Sequence, residues 1–491
     1  MSEQRSVALD TLLRTLDEGT HVTGTGGVRV NQLAIDSREV VPGGLFIALR
    51  GEHTDGHRFI AQAIKRGALG IIAEEHHATP QHVTLVVVPD TARALSTIAD
   101  AFYGSPSKDL LVTGITGTNG KTTTSQMTAA ILSAAGLPCG TIGTVGAHLG
   151  EREWQLSNTT PLAPQLHELL ADMRERGAKS VAMEVSSHAL ALHRVDDVRF
   201  EVGALTNVSR DHLDFHKSFD SYAGAKRKLF NFASRCVFNV DDELGERWSR
   251  ELRKKKNVVT YAMRNAADIR SEKLHVRPDG SSFEVQGQRY EVRIPGRFNV
   301  ANAMCALGIA RQLQIRDADA AAGLASLQRV AGRMERVEGK ESGITIIVDY
   351  AHTPDALENV LKTLREATKN QLIVVFGCGG DRDRGKRPQM GAVASRYADV
   401  VYITSDNPRT EEPMAIMREI AAGAEKATLC QDRRAAILGA VRSSMPGDVV
   451  LIAGKGHENY QIIGTDVLPF DDVSVAREAL AARSAQTENV G

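Results

Sequence analysis

The sequence has few cysteines, no long apolar run and almost no net charge. Its five cysteines lie far apart and form no CxxC or Cys/His spacing, so neither a disulfide framework nor a zinc site is expected, and free thiols in a reducing compartment fit best. No run approaches the roughly 18 apolar residues that a membrane helix needs. The N-terminus, MSEQRSVALDTLLRTLDEG, contains acids and lacks an apolar core, unlike a signal peptide. We therefore expect a cytoplasmic protein without membrane insertion.

The charge balance and the length limit the class of protein. Lys and Arg number 59 and Asp and Glu number 60, so the formal net charge is -1 and no general attraction to nucleic acid is expected. With 42% hydrophobic and 24% charged residues, the composition is that of a folded globular protein. At about 150 residues per domain, the 491 residues predict about three domains.

The hydrophobic pattern of the first segment predicts a small α/β module. Residues 28–90 contain the short apolar runs LFIAL, GIIA and TLVVVPD around a helical stretch. The following helix, TARALSTIADAFYG, ends at Gly104 and Pro106, a combination typical of a stop and a linker. We place the N-terminal domain at residues 1–107.

The central segment, residues 108–337, opens with the strand-like run LLVTGI, the turn TGTNG and a helix predicted over 121–135. The runs SVAMEV, FEVGALTNV and CVFNVD then alternate with helical patterns, as in a mostly parallel sheet. Shorter alternating runs around turns at 267–295 predict added antiparallel hairpins, and a further helix is predicted over 300–313. These features indicate a P-loop-type domain.

The C-terminal segment, residues 338–491, carries four more apolar runs, ITIIVD, LIVVFG, DVVYIT and VVLIAG. Each run is followed by a polar or glycine-rich turn, which predicts a Rossmann-like, doubly wound domain. The predicted fold class is therefore α/β with three domains. The sequence shows no internal repeat of solenoid period.

The turn and helix start of the central segment form the strongest local motif. Its residues are Gly117, Thr118, Asn119, Gly120, Lys121, Thr122 and Thr123. Glycine N–H groups and the helix N-terminus favour phosphate oxygens, the lysine can reach terminal phosphates, and Thr122 can ligate magnesium. Ile115 stands where the generic spacing has its first glycine, with Gly114 one position earlier. The motif predicts phosphate binding, with a plain structural turn as the alternative.

A phosphate loop needs a further magnesium ligand at the end of a neighbouring strand. The run SVAMEVSSH places Glu184 there. His188 and His212 are candidates to join it, because hydrated magnesium leaves room for one nitrogen contact. For a single histidine, a hydrogen-bonded structural role is the alternative.

Four turns of the C-terminal segment are expected to share one edge, since ligands bind outside the carboxyl ends of parallel strands. The turns are Tyr350-Ala351-His352, residues 378–384, residues 405–409 and residues 454–458. Arg382 and Arg409 can pair with a carboxylate, and Asp406 and Glu458 can accept from an ammonium group. The edge therefore suits a zwitterionic amino acid, with solvated turns and surface ion pairs as the alternative.

ATP in the central domain and an amino acid in the last one together favour amide formation. A free carboxylate is a poor electrophile until phosphorylation gives it a better leaving group, and an amine can then attack.

Ten ordered motifs, spread almost from end to end, resemble those of the Mur ligase family. They are GTNGKTTT, SNTTP, MEVSSHAL, TNVSRDHLD, PGRFNVANA, GRMERV, DYAHTPDALENVL, GCGGDRDRGKRP, SDNPRTEEP and AGKGHENYQ. The resemblance implies a cytoplasmic ligase of peptidoglycan synthesis that uses ATP and Mg²⁺. It implies that the enzyme phosphorylates the D-glutamate side-chain carboxylate of a UDP-N-acetylmuramoyl dipeptide. The amine of meso-diaminopimelate then attacks the acyl phosphate, and a monomer is expected.

The resemblance also implies residue roles. The UDP-muramoyl dipeptide would contact Ile35, Ser37, Glu52, His53, Thr54, Asn158, Thr159, Thr160, Ser186 and Arg194. ATP would contact the loop from Gly117 to Thr123, together with Asn299, Arg333, Asp349 and His352. The metal would be held by Thr122, Glu184 and His212. Leu192 stands where relatives have a glutamine, two positions before Arg194.

Lys226 corresponds to the lysine that relatives carbamylate, which turns a cation into an anion that helps to bind magnesium. The residues alone show only a basic helix face in YAGAKRKLF, for which a solvated lysine is the alternative.

The segment DNPR is the family feature that separates diaminopimelate-adding from lysine-adding enzymes. The implied diaminopimelate contacts are Arg382, Asp406, Asn407, Pro408, Arg409, Gly454 and Glu458. Diaminopimelate has a distal carboxylate that lysine lacks, and Arg409 can pair with it.

Three alternatives remain open. A lysine-adding ligase is disfavoured by DNPR, and a folylpolyglutamate synthase is disfavoured by the N-terminal module and SNTTP. A nucleotide-dependent switch that forms no bond would not need an amino-acid-sized charged pocket.

Overall fold

The computed structural model describes residues 5–16, 18–24, 27–51, 54–277, 279–337 and 343–488, with side chains as far as residue 483. By their contacts, the residues fall into two compact units. Unit one comprises Met1–Gly114, Leu137–Gly203 and Ala225–Arg235. Unit two comprises Ile115–Gly136, Ala204–Gly224 and Cys236–Gly491.

The secondary structure alternates strands and helices along most of the chain. The strands are β1 Val7–Ala8, β2 His21–Thr23, β3 Arg29–Val30, β4 Gln32–Ala34, β5 Gly44–Ile47, β6 Gly70–Ala73, β7 Thr84–Val87, β8 Leu111–Thr116, β9 Cys139–Gly143, β10 Gly146–Leu149, β11 Arg152–Trp154, β12 Ser180–Glu184, β13 Phe200–Leu205, β14 Arg235–Asn239, β15 Asn257–Ala262, β16 Ile269–Arg270, β17 Glu272–Arg277, β18 Gly280–Val285, β19 Gln288–Val292, β20 Glu335–Val337, β21 Thr345–Asp349, β22 Leu372–Phe376, β23 Val400–Ile403, β24 Ala427–Leu429, β25 Val449–Ala453, β26 Tyr460–Ile463 and β27 Asp466–Pro469. The helices are α1 Leu9–Leu13, α2 Ile60–Lys65, α3 Thr91–Phe102, α4 Lys121–Ala134, α5 Ala163–Glu175, α6 Ser187–Ala191, α7 Leu213–His216, α8 Phe219–Arg227, α9 Leu229–Phe232, α10 Glu243–Leu252, α11 Arg297–Gln312, α12 Asp317–Ser326, α13 Pro354–Ala367, α14 Lys386–Tyr397, α15 Pro413–Ala421, α16 Arg433–Ser443 and α17 Asp472–Glu488. Short 3-10 helices span Gly56–Phe59 and Pro106–Lys108.

The N-terminal module of unit one is a five-stranded sheet in the order β2-β7-β6-β5-β4. Strands β4 to β7 are parallel, and β2 pairs antiparallel with β7. Every residue of β5 and β6 is buried, as expected for strands covered on both faces. Helices α1 and α3 pack on one face through residues such as Leu12 and Ile98, and α2 packs on the other through Ile60. The predicted small α/β module is confirmed.

The rest of unit one positions a buried strand that ends in a carboxylate. Strand β12 is parallel to β9, and β9 is antiparallel to β10. All five residues of β12 are buried, and α5 covers them with Leu166 and Leu170. The strand ends at Glu184, as the sequence predicts.

In unit two, the carboxyl ends of β8 and β13 lie side by side. Thr206 N–H donates to the carbonyl of Thr116 at 3.0 Å, and Thr118 N–H donates to the carbonyl of Asn207 at 2.8 Å. Helix α4 begins at Lys121 and contacts α11 and α12. The predicted order of strand, turn and helix around the phosphate loop is confirmed.

The added antiparallel strands are also confirmed. Strands β17, β18 and β19 form a three-stranded antiparallel sheet in unit two. The helix that follows begins earlier than predicted, at Arg297 instead of residue 300. Gly296, with φ of 111°, makes the turn into α11, and Asn299 Nδ2 donates to the carbonyl of Pro295 at 2.7 Å. Asn299 therefore belongs to the first helical turn and not to a preceding loop.

The C-terminal part of unit two is a six-stranded sheet in the order β20-β21-β25-β22-β23-β24. From β21 to β24 all neighbours are parallel, so the turns after β21, β22, β23 and β25 lie at one edge, as predicted. Helices α16 and α17 cover one face through Ile437 and Leu480. Val374 and Leu451 point to the opposite face and are also buried, as in a doubly wound sheet. Strand β20 already pairs with β21, before the boundary placed at 337/338, which stays a prediction.

A fully enclosed ion pair ties the last helix to this sheet. Arg433 at the start of α16 donates from Nε to Asp472 Oδ1 at 2.8 Å and from Nη2 to Oδ2 at 2.7 Å, and both side chains are 0% exposed. Arg433 Nη2 also donates to the carbonyl of Ala453, the last residue of β25. The pair therefore fixes α17 behind the turn that follows β25.

Among the residues that the structure describes, no helix combines the length and the apolarity needed to cross a membrane.

Candidate functional site

The phosphate loop of unit two depends on two glycines. Gly117 has φ of 154°, and a Cβ there would lie 1.9 Å from Thr206 Oγ1. Gly120 has φ of 85°, and a Cβ there would lie 2.3 Å from Asn302 Oδ1. Both positions combine a left-handed backbone with a close neighbour, so any larger residue would move the loop.

The loop is anchored to the segment that follows β13. Asn119 N–H donates to Asn207 Oδ1 at 3.0 Å, and Thr206 Oγ1 donates to the carbonyl of Asn119 at 2.6 Å. The hydroxyl of Thr118 lies 2.9 Å from that of Tyr222. The loop shape is therefore set by side chains of its own unit before any ligand binds.

Lys121 and Thr122 already have protein partners. Lys121 Nζ donates to the carbonyls of Gly117 and Thr118, each at 2.9 Å. Arg333 Nη2 donates to Thr122 Oγ1 at 2.8 Å, which joins two predicted ATP residues that are 211 positions apart in sequence. Thr123 is buried behind them.

Asn302 is a residue that the sequence reasoning missed. Its Nδ2 donates to Asn299 Oδ1 at 2.9 Å, and its Oδ1 faces Gly120. The spacing of Asn299 and Asn302 on one helix face, within FNVANA, is the sequence pattern that could have revealed it.

Asp349 and His352 flank the turn after β21. Asp349 accepts from the N–H groups of Met334 at 2.7 Å and Ala351 at 2.8 Å, and burial raises its pKa. His352 Nδ1 lies 2.8 Å from the carbonyl of Tyr350. Burial, assisted by the nearby Lys386, lowers the pKa of His352 to about 4, so the ring is neutral at pH 7.

His212 lies in a strongly charged part of unit two. It has φ of 52°, and its Nε2 is 3.3 Å from Asp211 Oδ2. Burial alone would raise the pKa of Asp211, but its electrostatic interactions with His212, His352 and Lys386 lower it to about 2. Asp211 is therefore an ionised carboxylate beside the predicted metal residue.

Glu184 is held in unit one by Thr144, another residue that the sequence reasoning missed. The N–H of Thr144 donates to one carboxylate oxygen at 2.8 Å, and its hydroxyl donates to the other at 3.0 Å. A Cβ at Gly143 would lie 2.3 Å from Glu184 Oε1, so only glycine admits this approach. The motif GTVG after β9 is the pattern that could have pointed to it.

Several predicted dipeptide residues meet around Glu184. Thr160 Oγ1 donates to the carbonyl of Glu184 at 2.9 Å and accepts from Ser186 N–H at 3.0 Å. Arg194 Nη1 donates to the carbonyl of Thr160 at 3.0 Å, and its buried Nε has no partner among the described residues. Thr159 joins through a 3.2 Å contact between its hydroxyl and that of Thr144.

The other predicted dipeptide residues are less connected. Asn158 is exposed and donates to Ser157 Oγ at 3.3 Å, whereas Ser37 is buried and donates to Gln62 Oε1 at 2.9 Å. Ile35 is half-buried and Thr54 is exposed. Glu52 and His53 lie outside the described residues. Leu192, in the place of the relatives' glutamine, is 42% exposed.

Lys226 is 1% exposed, so it is not the solvated lysine that its basic surroundings allow as an alternative. Burying an ammonium group is costly unless the environment compensates its charge. This burial is compatible with a modified lysine.

Asn407, Glu458 and Lys455 form the centre of the C-terminal edge. Asn407 Nδ2 donates to Glu458 Oε2 at 2.9 Å, and Lys455 Nζ donates to Asn407 Oδ1 at 3.1 Å. Burial, and next the charge of Asp406, raises the pKa of Glu458. For Asp406, burial acts in the same direction, but the charges of Lys455 and Arg433 and a hydrogen bond from the Asn407 N–H together outweigh it and lower the pKa. Gly454, with φ of 112°, leaves the room that Asp406 occupies, since a Cβ there would lie 2.6 Å from Oδ2.

Arg409 is brought to the same edge, where burial and next the charge of the nearby Arg382 lower its pKa. Arg409 is half-buried, and its Nη1 donates to the carbonyl of Gly380 at 2.9 Å. Pro408, before it, is buried. Arg382 is exposed and donates to the carbonyl of Asp381 at 2.9 Å.

The donor set suits magnesium better than a softer metal. Thr122 and Glu184 offer a hydroxyl and a carboxylate, which are hard oxygen ligands. Within the described ranges, no group of three or more His, Cys, Asp and Glu is arranged to hold a metal ion by itself. The Thr122 hydroxyl in unit two and the Glu184 carboxylate in unit one are each of the type that magnesium binds when phosphate oxygens and water complete its coordination.

Three family models match consecutive parts of the chain. They are the Mur ligase family catalytic domain over residues 29–103, the Mur ligase middle domain over 115–310 and the Mur ligase glutamate ligase domain over 332–456. Together they cover most of the sequence in the predicted order.

Individual relatives of the chain are also Mur ligases. The chain is 42% identical over 470 residues to the UDP-N-acetylmuramoyl-L-alanyl-D-glutamate--2,6-diaminopimelate ligase of Syntrophomonas wolfei, covering 92% of this chain and 95% of the relative. A solved structure of a ligase with that name is 33% identical, with a TM-score of 0.68 and coverage of 98% and 99%. A MurF ligase from Thermotoga maritima in complex with ADP is 19% identical, with a TM-score of 0.62 and coverage of 93% and 98%, and shares the fold.

Proposed function

The chain belongs to the Mur ligase family, and from this premise we propose that it adds meso-diaminopimelate to UDP-N-acetylmuramoyl-L-alanyl-D-glutamate. It is an ATP-dependent ligase that forms amide bonds, with three α/β domains. Relatives about 40% identical over nearly the whole chain carry the name of the diaminopimelate-adding enzyme. We place the reaction in peptidoglycan synthesis in the cytoplasm, and the enzyme acts as a monomer. On this basis the activity serves cell-wall growth, cell shape and cell division.

The observation that carries the choice of amino acid is the C-terminal edge. Arg409 is fixed by the carbonyl of Gly380, while Asn407 and Glu458 are linked at 2.9 Å on the same edge. A guanidinium group beside the Glu458 carboxylate suits an amino acid with both a carboxylate and an ammonium group at its distal end. Lysine lacks that distal carboxylate and would leave Arg409 without its partner.

ATP is assigned to the phosphate loop. Lys121 exchanges its carbonyl partners for phosphate oxygens, and the N–H groups of the loop cradle the phosphates. Asn299, Arg333, Asp349 and His352 surround the nucleotide in this assignment. Magnesium, held by Thr122, Glu184 and His212, would neutralise charge on the transferring phosphoryl group.

The UDP-muramoyl dipeptide is assigned to residues of unit one. Thr160, Ser186 and Arg194 share hydrogen bonds next to Glu184, and the Nε of Arg194 is available for a carboxylate or phosphate oxygen. Ile35, Ser37 and Thr54 are assigned to the UDP portion. Lys226 is proposed to be carbamylated, which its burial supports.

The proposed chemistry has two steps. A carboxylate oxygen of D-glutamate attacks the γ-phosphorus of ATP, giving an acyl phosphate and ADP. The neutral amine of diaminopimelate then attacks the acyl carbon, phosphate leaves with the C–O bonding electrons, and the nitrogen loses a proton. Arg409, Asn407 and Glu458 hold the amino acid so that the attacking amine is oriented.

The test is to measure magnesium-dependent ADP formation with the UDP-muramoyl dipeptide and either meso-diaminopimelate, L-lysine or no amino acid. We expect turnover only with diaminopimelate and a product whose mass equals the tripeptide. Turnover with lysine would keep the ligase and refute the assignment of the amino acid. ADP release that needs no amino acid and forms no amide would favour the nucleotide-dependent switch.

A further inference from the structure

Lys455 is the most deeply buried cation of the C-terminal edge, and the proposed function gives it no role. It follows β25, and its side chain is 0% exposed. Its Nζ lies 3.1 Å from Asn407 Oδ1, 3.3 Å from Glu458 Oε2 and 4.0 Å from Asp406 Oδ1. One ammonium group therefore faces three acceptors that also surround the proposed amino-acid site.

These contacts form a closed network. Asn407 Oδ1 accepts from Lys455 and from Ile462 N–H at 2.9 Å, so the amide must direct its Nδ2 to Glu458. Lys455 and Asn407 then donate to the same oxygen, Oε2, of Glu458. The other carboxylate oxygen of Glu458, Oε1, lies 3.4 Å from the hydroxyl of Tyr350. This distance is long for a hydrogen bond between oxygens, so Oε1 can still accept a hydrogen bond from a ligand.

The charges require a cation at this position. Asp406 and Glu458 are two carboxylates in a largely buried site, and each disfavours ionisation of the other. The charged or titratable groups around Glu458 are Asp406, Lys455, Tyr350, Arg433, Arg409 and Tyr460. Arg433 is already engaged by Asp472, and Arg409 donates to a backbone carbonyl. Lys455 is the cation in direct contact with Glu458.

We propose that Lys455 is a positioning residue for the amino-acid substrate, because it fixes the orientation of Asn407 and keeps Glu458 ionised to accept the substrate's ammonium group. The proposal rests on the proposed function, since it concerns the same pocket. It predicts a substrate-specific effect that a lysine with only a structural role would not produce. Amino-acid binding should depend on Lys455 through the charge of Glu458, while ATP and the dipeptide should not.

The experiment compares the full-length wild type with Lys455→Met, Lys455→Gln and the control Lys369→Met, which removes an exposed lysine. For Lys455→Met we expect the KM for diaminopimelate to rise about 30-fold or more, with the KM for ATP and for the dipeptide within about threefold. Lys455→Gln keeps a donor but no charge and should show a rise of the same kind. Lys369→Met should match the wild type.

The pH dependence of the KM for diaminopimelate distinguishes a positioning role of Lys455 from an effect of the substitution on folding. Without Lys455 the folded-state pKa of Glu458 rises further, so the site is neutral at low pH and becomes an anion as the pH increases. The KM of Lys455→Met for diaminopimelate, divided by that of the wild type at the same pH, should therefore fall as the pH increases. In the double variant with Glu458→Gln, the two effects should be far from additive, because both act on one contact.

An unchanged KM for diaminopimelate, a pH-independent defect, or an equal rise of all three KM values would overturn the proposal. If Lys455→Met does not fold, Lys455→Gln decides by the same criteria. If the wild type uses another amino acid, the proposed function fails, and the same comparison with that amino acid still tests Lys455.

Discussion

Arg409 offers the sharpest test of amino-acid specificity, because the structure holds it in an unusual backbone conformation. Its φ is 51°, its N–H donates to the carbonyl of Ile462 at 3.2 Å, and its carbonyl accepts from Gly464 N–H at 2.8 Å. The hairpin of β26 and β27 therefore fixes the backbone, and the carbonyl of Gly380 orients Nη1. Among the described residues, Nε and Nη2 of Arg409 have no acceptor, so both can donate a hydrogen bond to a ligand carboxylate.

The expected loss follows from two charge-assisted hydrogen bonds. Each is worth about 1.5–3 kcal/mol, and the half-exposed setting of Arg409 favours the lower end, so Arg409→Ala should lose about 3 kcal/mol. At about 1.4 kcal/mol per factor of ten, the KM for diaminopimelate should rise roughly 100-fold. Arg409→Lys keeps the charge but lacks the planar guanidinium group. Its KM for diaminopimelate should therefore lie between those of the wild type and Arg409→Ala, about tenfold above the wild type.

The assay measures initial rates of ADP formation with saturating ATP and dipeptide, varying diaminopimelate or L-lysine. The ratio of kcat/KM for diaminopimelate to that for lysine should fall about 100-fold in Arg409→Ala. Arg442→Ala, which removes an exposed arginine of α16, is the matched control and should keep the wild-type ratio. An unchanged KM, or an unchanged ratio, would refute the role given to Arg409.

Three further predictions concern the pocket, acid stability and metal use. Gly380→Ala should raise the KM for diaminopimelate at least tenfold with little change for ATP, because its Cβ would lie 1.9 Å from the carbonyl of Pro408; equal effects on both substrates would contradict this. Arg387 holds the pKa of Glu411 at about 2, below its usual 4.5, so the stability it contributes is complete above pH 4.5 and is lost as the pH falls toward 2. Glu411→Gln should therefore lower the urea midpoint at pH 7 more than at pH 3, and equal losses at both would count against the pair. Thr122→Val should shift the Mg²⁺ titration of activity to higher concentrations, and an unshifted curve would remove its hydroxyl from the metal site.

Local and topological features of the site could be predicted from the sequence. The phosphate loop depends on glycines and a helix start that are contiguous in the chain, so its position between β8 and α4 follows from the pattern. The shared edge of the four C-terminal turns follows from the parallel order of their strands.

Features that depend on distant side chains could not be predicted. Arg333 meets Thr122 and Thr144 meets Glu184 only because tertiary packing brings separate elements together. The sequence shows Lys455 as one polar residue of a glycine-rich turn, and nothing local indicates that it is completely buried. The apolar pattern predicts the start of α11 at residue 300 instead of Arg297, because the turn at Gly296 is recognised from its φ value and not from that pattern.

The enclosed pair of Arg433 and Asp472 has a practical consequence for altering the C-terminus. Breaking a buried ion pair by removing one partner costs about 3–5 kcal/mol, because the remaining charge is left without compensation. A polypeptide that ends before Asp472 would leave the buried Arg433 without its carboxylate partner. Arg433 also donates to the carbonyl of Ala453, which lies two residues before Lys455. Removing α17 as far as Asp472 should therefore disturb the turn that carries Lys455, whereas a tag joined after the helix leaves the pair intact.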